Sequence, residues 1–325
     1  GSRPKQPLQN YADVISDVLT YCHPRDFLFL ASVSRSWKSA WCSSGRSKTT
    51  SVSLAVTTRS RTEEVLDQHS FHRAAAYQGG IFCLAAHSGN LGGLQAAAEK
   101  LKSGWGSFGV GESMTDVAAA GGHLEIVKWA KAQGCGISRR VCKFAAQGGH
   151  LGVLKWARDE GYPLDQDTCA LAAENGHLEV LKWAREQGCS WDARTCSGAA
   201  GGGHFEVLRW ARSQGCRWTK ETCEFAALHG NLALLQWVRQ EGCPWDARTC
   251  SFAGLGGHLE ILRWARERKC EWDEDTCACA AQGGHLEILK WARQQGCPWD
   301  AKHCATLATR RQHTDVRDWI SQHAQ

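Results

Sequence analysis

From about residue 120 onward, apolar and polar positions recur in one fixed pattern. The stretch from Thr168 to Asp192 reads TCALAAENGHLEVLKWAREQGCSWD and represents the rest. Leu178, Val180, Leu181, Trp183 and Ala184 are apolar; Glu179, Lys182, Arg185 and Glu186 are polar and spaced to pair along a helix. This predicts a helix over His177 to Gln187, here called helix B, with Gly188 ending it. Its apolar arc is wider than one face of a surface helix, so it must be wedged between neighbours. The shorter, Ala-rich run Thr168 to Glu174 predicts a helix A. Asp165 stands before it as an N-cap, its carboxylate accepting from open backbone N–H groups. Gly176 stands after it, suited to a left-handed end.

The two-helix pattern is copied along the chain. Its anchor, Gly followed by His or Asn, stands at 122–123, 149–150, 176–177, 203–204, 230–231, 257–258 and 284–285, always 27 residues apart. A fixed period of this length marks stacked modules, none of which buries its apolar surface alone. A degenerate first anchor stands at Gly89-Asn90, 33 residues before His123. The excess falls in the Gly-rich run Ser103 to Ser113, expected to be a surface loop with Trp105 and Phe108 on it. The last copy, His313 to Trp319, has slipped by one residue and is charged, as an end cap should be.

Thr168-Cys169, Ala172-Ala173, Gly176-His177-Leu178-Glu179-Val180 and Gly188-Cys189-Ser190-Trp191-Asp192 resemble the ankyrin repeat. The family carries T-P-L-H-x-A-A, G-H-L-E-V-V and G-A-D-V-N in the same register. The period is shorter than the family's 33, and the missing residues fall mainly between Asp192 and Thr195, where the family makes a β-hairpin finger. The resemblance therefore implies stacked helix pairs with stunted fingers. It also implies that the residues before each anchor line the inner, partner-facing side. These vary most between copies: Gln147, Glu174, Asn175, Leu228, His229, Leu255 and Gln282 are the candidate partner-binding residues. Leu228 and Leu255 are apolar where other copies are polar or Gly, which suggests an apolar contact patch, with helix packing as the alternative. A second row, Arg140, Asp167, Arg194, Glu221, Arg248, Asp275 and Lys302, alternates in sign and predicts ion pairs between neighbouring copies.

Residues 1–10 read as a frayed tail, Gly1-Ser2 resembling an expression scar. Residues 11–44 lack the repeat. Val14, Ile15, Val18 and Leu19 are at helical spacing, His23-Pro24 breaks the run, and Phe27 to Trp37 continue it. Asp13-Val14-Ile15, Val18-Leu19, Tyr21, Pro24, Asp26-Phe27 and Val33-Ser34-Arg35-Ser36-Trp37 resemble an F-box; the family's opening Leu-Pro is replaced by Asn10-Tyr11. That resemblance implies docking on a Skp-type adaptor of a cullin-based ubiquitin ligase through Val14, Ile15, Val18, Leu19, Pro24, Phe27, Leu28 and Trp37. The bland reading of the same residues is a helical cap for the repeats. Residues 45–70 form a Ser/Thr-rich basic linker, and residues 71–325 the repeat domain.

Charge and chemistry narrow the function. The net charge of +5 is uneven: residues 1–75 hold 10 basic and 6 acidic side chains, and the rest hold 28 and 27. A nearly neutral repeat domain argues against nucleic acid as the partner. The basic positions of helix B, such as Lys182, Arg185, Arg209 and Arg266, lie three or more residues after acids and read as a mixed, solvated face. No apolar run reaches membrane-spanning length. Of the 17 Cys, 13 recur at two repeat positions, Cys189 and Cys169 being one example of each. They read as reduced packing residues in cytosol or nucleus, with Cys-x6-Cys disulfides or zinc as weaker readings. The repeating His is structural, since a catalytic group occurs once, in a cleft; its replacement by Asn90 and Asn231 suits a local capping role. No cofactor, metal or enzyme activity is expected.

The expected protein is all-α: a monomeric, ankyrin-like helix-pair solenoid with an N-terminal F-box-like helical segment. The implied function is substrate receptor of a Skp-cullin-F-box-type ubiquitin ligase, binding an unidentified protein on the concave face. The alternative is a scaffold or adaptor without a ubiquitin role.

Overall fold

A computed structural model describes residues 82–83, 85–101 and 110–323. The chain divides into two compact units, 1–163 and 164–325. Among the described residues every regular element is a helix. In the first unit these are α1 (Leu91–Leu101), α2 (Val110–Ala120), α3 (Leu124–Ala132), α4 (Val141–Gly148) and α5 (Leu151–Asp159). The second holds α6 (Gln166–Glu174), α7 (Leu178–Glu186), α8 (Ala193–Gly201), α9 (Phe205–Ser213), α10 (Lys220–Leu228) and α11 (Leu232–Gln240). It continues with α12 (Ala247–Gly256), α13 (Leu259–Glu267), α14 (Glu274–Gly283), α15 (Leu286–Gln294), α16 (Ala301–Arg310) and α17 (Thr314–His323). The expected helix pairs at a 27-residue interval are present in both units. Residues 110–113 of the expected Gly-rich loop belong to α2, while 102–109 and the F-box-like segment lie outside the described residues.

In the second unit the A helices form a row: α6 packs on α8, α8 on α10, α10 on α12, α12 on α14, and α14 on α16. Each also packs on its own helix B, as α6 does on α7 and α12 on α13. The same positions are buried in each copy. In the first, Cys169, Ala172, Ala173, Leu181 and Ala184 are fully enclosed. Small residues on helix A let neighbouring A helices approach closely, while Leu181, Leu208, Leu235, Leu262 and Leu289 from the B helices fill the space behind them. Burying each such Leu stabilises the stack by roughly 2–3 kcal/mol.

The ends of the helices follow the sequence reading closely. Asp165 Oδ1 accepts from Thr168 N at 3.0 Å, and Thr168 Oγ1 accepts from Asp165 N at 3.3 Å, a reciprocal cap that starts α6 two residues before the expected Thr168. Gly176 and Gly188 both take φ of 79°.

The recurring His behaves differently from expectation. It stands before helix B rather than in it, and at 123, 150, 177, 204, 258 and 285 its side chain makes no capping bond. Instead Nε2 reaches back to the previous copy and donates to a carbonyl at the end of its helix A. His123 bonds His87 O at 2.8 Å and His150 bonds Ala120 O at 2.9 Å in the first unit. In the second unit His258 bonds Leu228 O, His285 bonds Leu255 O and His313 bonds Gln282 O, each at 3.1 Å. Asn231 substitutes through Nδ2, which donates to Ala200 O at 3.2 Å. Each bond satisfies a carbonyl that the end of a helix leaves without a partner. The capping expectation holds at Asn90, whose Oδ1 accepts from Gly93 N at 2.8 Å. Imidazole is long enough to cross to the next copy, which a sequence position cannot reveal.

This crossing fixes the neighbouring glycines. A Cβ on Gly256 would lie 2.1 Å from Leu228 O, and one on Gly202 would lie 2.2 Å from Glu174 O. Residues that vary in the sequence are therefore not all free to vary.

Candidate protein interaction surface

No strand finger follows helix B among the described residues. The loop carries one Trp and uses it as a spacer. Trp191 meets Trp210 of the next copy edge to face at 5.8 Å, and Trp218–Trp237, Trp245–Trp264 and Trp272–Trp291 repeat the contact at 5.9, 5.6 and 5.9 Å. Arg185, Arg212, Arg239, Arg266 and Arg293 each lie over the Trp that follows, 4.1–4.7 Å from the ring centre. They also donate to the carbonyls of Cys189, Cys216, Cys243, Cys270 and Cys297. These guanidinium groups hold the loops in place, which corrects their reading as solvated charge. Three other basic positions pair along their own helix: Lys182 with Glu179 at 2.8 Å, Arg209 with Glu206 at 2.7 Å and Lys290 with Glu287 at 2.9 Å. These residues are thus occupied by internal partners rather than open to a phosphate backbone. A shallow depression of about 430 Å³ lies among Arg263, Arg266, Trp272 and Trp291 in this row.

The open face of the A helices is where the copies differ. Glu174, Asn175 and His229 are exposed, and Leu228, Leu255 and Gln282 are half-buried; in the first unit Gln147 is exposed. Asn175 and His229 turn back on their own helices, Asn175 Nδ2 donating to Leu171 O at 2.9 Å and His229 Nδ1 bonding Phe225 O at 3.0 Å. Leu228 and Leu255 lie on α10 and α12, which pack side by side.

Between these two leucines the structure adds residues that sequence reasoning missed. Phe225 and Phe252 meet edge to face at 6.3 Å, His229 stacks on Phe225 at 6.4 Å, and Arg248 covers Phe252 at 5.3 Å. Both Phe rings are half-buried rather than enclosed. The signal was present: this position holds Leu171, Gly198 and Cys279 in the other copies from 166 to 283, against two successive Phe, and Phe144 in the first unit. Beneath them lies Glu224, only 1% exposed, at a position held elsewhere by Ala170, Ser197, Ser251 and Ala278. Its Oε2 is 3.4 Å from Arg248 Nη2, and Oε1 has no hydrogen-bond partner. Burial raises the Glu224 carboxyl above its ordinary value, partly countered by the charge of Arg248.

The alternating-charge row pairs only in part as predicted. Arg194 Nη1 meets Asp167 at 2.7 Å, but Arg248 reaches Glu224 rather than Glu221, and Arg140 in the first unit meets Asp116 at 2.7 Å. Glu224 lies one turn after Glu221 on α10 and is buried.

The surface is thus an aromatic and aliphatic patch with one buried acid and a bordering cation, and it has the composition of a contact site. Residues 12–49 match the F-box domain family. All eight expected adaptor-docking residues, Val14 to Trp37, fall inside that match and outside the described residues. None of the curated proteins compared with the chain matches it. Among solved structures, the ankyrin repeat domain of human ASB11 is similar at 15% identity over 48% of this chain and 84% of that one, with a TM-score of 0.39. No helix among the described residues is long and apolar enough to cross a membrane. An F-box joined to stacked helix pairs supports a role in protein–protein interaction.

Proposed function

We propose that the chain is a substrate receptor of a Skp-cullin-F-box-type ubiquitin ligase. Residues 11–44 dock the Skp-type adaptor through Val14, Ile15, Val18, Leu19, Pro24, Phe27, Leu28 and Trp37. The repeats hold a protein target on the open face of the A helices. The observation that carries this reading is the F-box match over 12–49. The patch around Leu228 and Leu255, extended by Phe225 and Phe252, supports the second half. Residues 45–70 act as the linker, and the working compartment is cytosol or nucleus, where the ligase machinery resides.

Co-expression with a Skp-type adaptor tests the first half. The wild-type chain should co-purify with it, and Leu19→Asp with Trp37→Ala should abolish co-purification without altering the far-UV spectrum. A wild-type chain that leaves the adaptor behind would favour the scaffold reading. For the second half, Leu228→Asp with Leu255→Asp should remove target proteins from a pull-down while leaving the adaptor bound.

A further inference from the structure

The cysteines pair in space at a spacing the sequence reading did not weigh. Cys169 Sγ lies 3.4 Å from Cys189 Sγ. The two are 20 residues apart, one in helix A and one in the loop after helix B of the same copy. The thiol–thiol contact recurs in the next four copies, as Cys196 with Cys216, Cys223 with Cys243, Cys250 with Cys270, and Cys277 with Cys297. The second thiol of each pair also points at a backbone carbonyl: Cys189 at Asp165 O, Cys216 at Asp192 O, Cys243 at Thr219 O, Cys270 at Asp246 O and Cys297 at Asp273 O, at 3.1–3.5 Å. Two regular rows of packing residues would need only small volume at each position. Here the paired sulfurs touch, while the residue 20 before Cys135 is Thr115 and the residue 20 after Cys142 is Tyr162. The dithiols are thus confined to the second unit among the described residues, five in succession.

We propose that these five pairs are sites of reversible two-electron oxidation, each closing an internal disulfide within one copy when hydrogen peroxide reaches it. Sulfurs in contact need only a modest side-chain rotation to close to the ~2.05 Å of a disulfide. The thiolate of the loop cysteine attacks the peroxide oxygen, the O–O bond breaks, and water leaves once the leaving oxygen takes a proton. The resulting sulfenic acid is attacked by the helix-A thiol; the S–S bond forms, and a second water carries away the hydroxyl and the remaining thiol proton. Overall, two thiols lose two electrons and two protons, and one peroxide becomes two waters. The pairing itself selects the nucleophile: the S–H of Cys169 donates to Cys189 and holds the Cys189 thiol below its ordinary value, while Cys169 is held above it. Cys189 is itself buried, but exposed Gly188 and Ser190 flank it, so opening of the loop that carries it is the route in. The contacts join helix A to the end of helix B, so each bond would lock one copy without tying it to the next.

Mass spectrometry of the full-length folded chain, treated with hydrogen peroxide and then alkylated, tests this. Peptide mapping should find Cys169–Cys189 and its four counterparts, each with a loss of about 2 Da that dithiothreitol restores. The oxidised chain should melt at higher temperature, since each bond restrains the unfolded chain. Cys189→Ser should remove that cross-link alone and leave the other four, and Cys135→Ser should remove none. If Cys189→Ser does not fold, Cys169→Ser serves the same purpose. Cross-links between copies, such as Cys169 with Cys216, would overturn the proposal. So would thiols in these pairs that stay reduced until the chain is unfolded, or that go to sulfinic acid without forming a bond.

Discussion

Replacing His258 tests how the copies are joined. Its Nε2 donates to Leu228 O at 3.1 Å, and its ring edge lies where a Cβ on Gly230 would come within 2.6 Å. Ala at this position leaves a half-buried helix-end carbonyl without its partner, at a cost of about 1–3 kcal/mol. It also opens a gap beside Gly230, so the total loss should be about 2–3 kcal/mol, of which the gap contributes the smaller part. Asn is the informative control. Asn231 already fills the equivalent place one copy earlier and bonds Ala200 O at 3.2 Å. His258→Asn should therefore keep the bond and lose less than about 1 kcal/mol. Urea unfolding of the full chain, followed by far-UV circular dichroism, measures both variants against wild type at equal slope. Equal losses for Ala and Asn would show that ring packing, not the bond between copies, carries the effect. A loss below about 0.5 kcal/mol for Ala would refute the argument altogether, since it lies below the smallest cost of an abandoned buried carbonyl.

Glycine substitutions should divide by surroundings in the same urea assay: Gly256→Ala, whose Cβ would meet Leu228 O at 2.1 Å, should cost more than about 3 kcal/mol, while Gly152→Ala, in α5 with nothing within 4 Å, should be neutral or stabilise by up to about 1 kcal/mol. Glu224 should make stability fall as pH rises: its folded-state carboxyl titrates above its ordinary value of 4.5, so its ionised form is disfavoured in the folded chain. Glu224→Gln should accordingly be more stable than wild type at pH 7, with the gap closing as pH drops through the folded-state value and gone below about 4; a gap that persists at pH 3 would rule out ionisation as the cause. Arg239→Met should cost about 1–3 kcal/mol by removing the cover of Trp245 and the bond to Cys243 O, whereas Arg209→Met, which loses only an exposed pair with Glu206, should stay within about 0.5 kcal/mol in thermal melts.

The candidate surface was half legible in the sequence. Leu228 and Leu255 were visible because they break a polar pattern at one register position. Phe225 and Phe252 sit three residues earlier, on the same face of the same helices, and were passed over because that position is variable and apolar in several copies. Glu224 was hidden for the opposite reason: an acid on a surface helix reads as exposed, and only close packing of α10 against α12 buries it. The cysteine pairs were missed because spacing along the chain suggested Cys-x6-Cys, while the helix pair folds back and brings residues 20 apart into contact.

The 27-residue recurrence of Gly, His, Leu and Trp by itself determined that the described residues form helix pairs, where each pair starts and stops to within two residues, and which apolar positions are buried. Those properties depend on neighbours within a few turns, where backbone geometry converts spacing directly into position. The tertiary structure alone decided what the histidines bond to, which glycines cannot change, which thiols meet, and that the arginines in the last turn of these B helices support Trp rather than facing solvent. Each of these depends on atoms of different helices or of adjoining copies, and the distance between such atoms is set by how the helices stack.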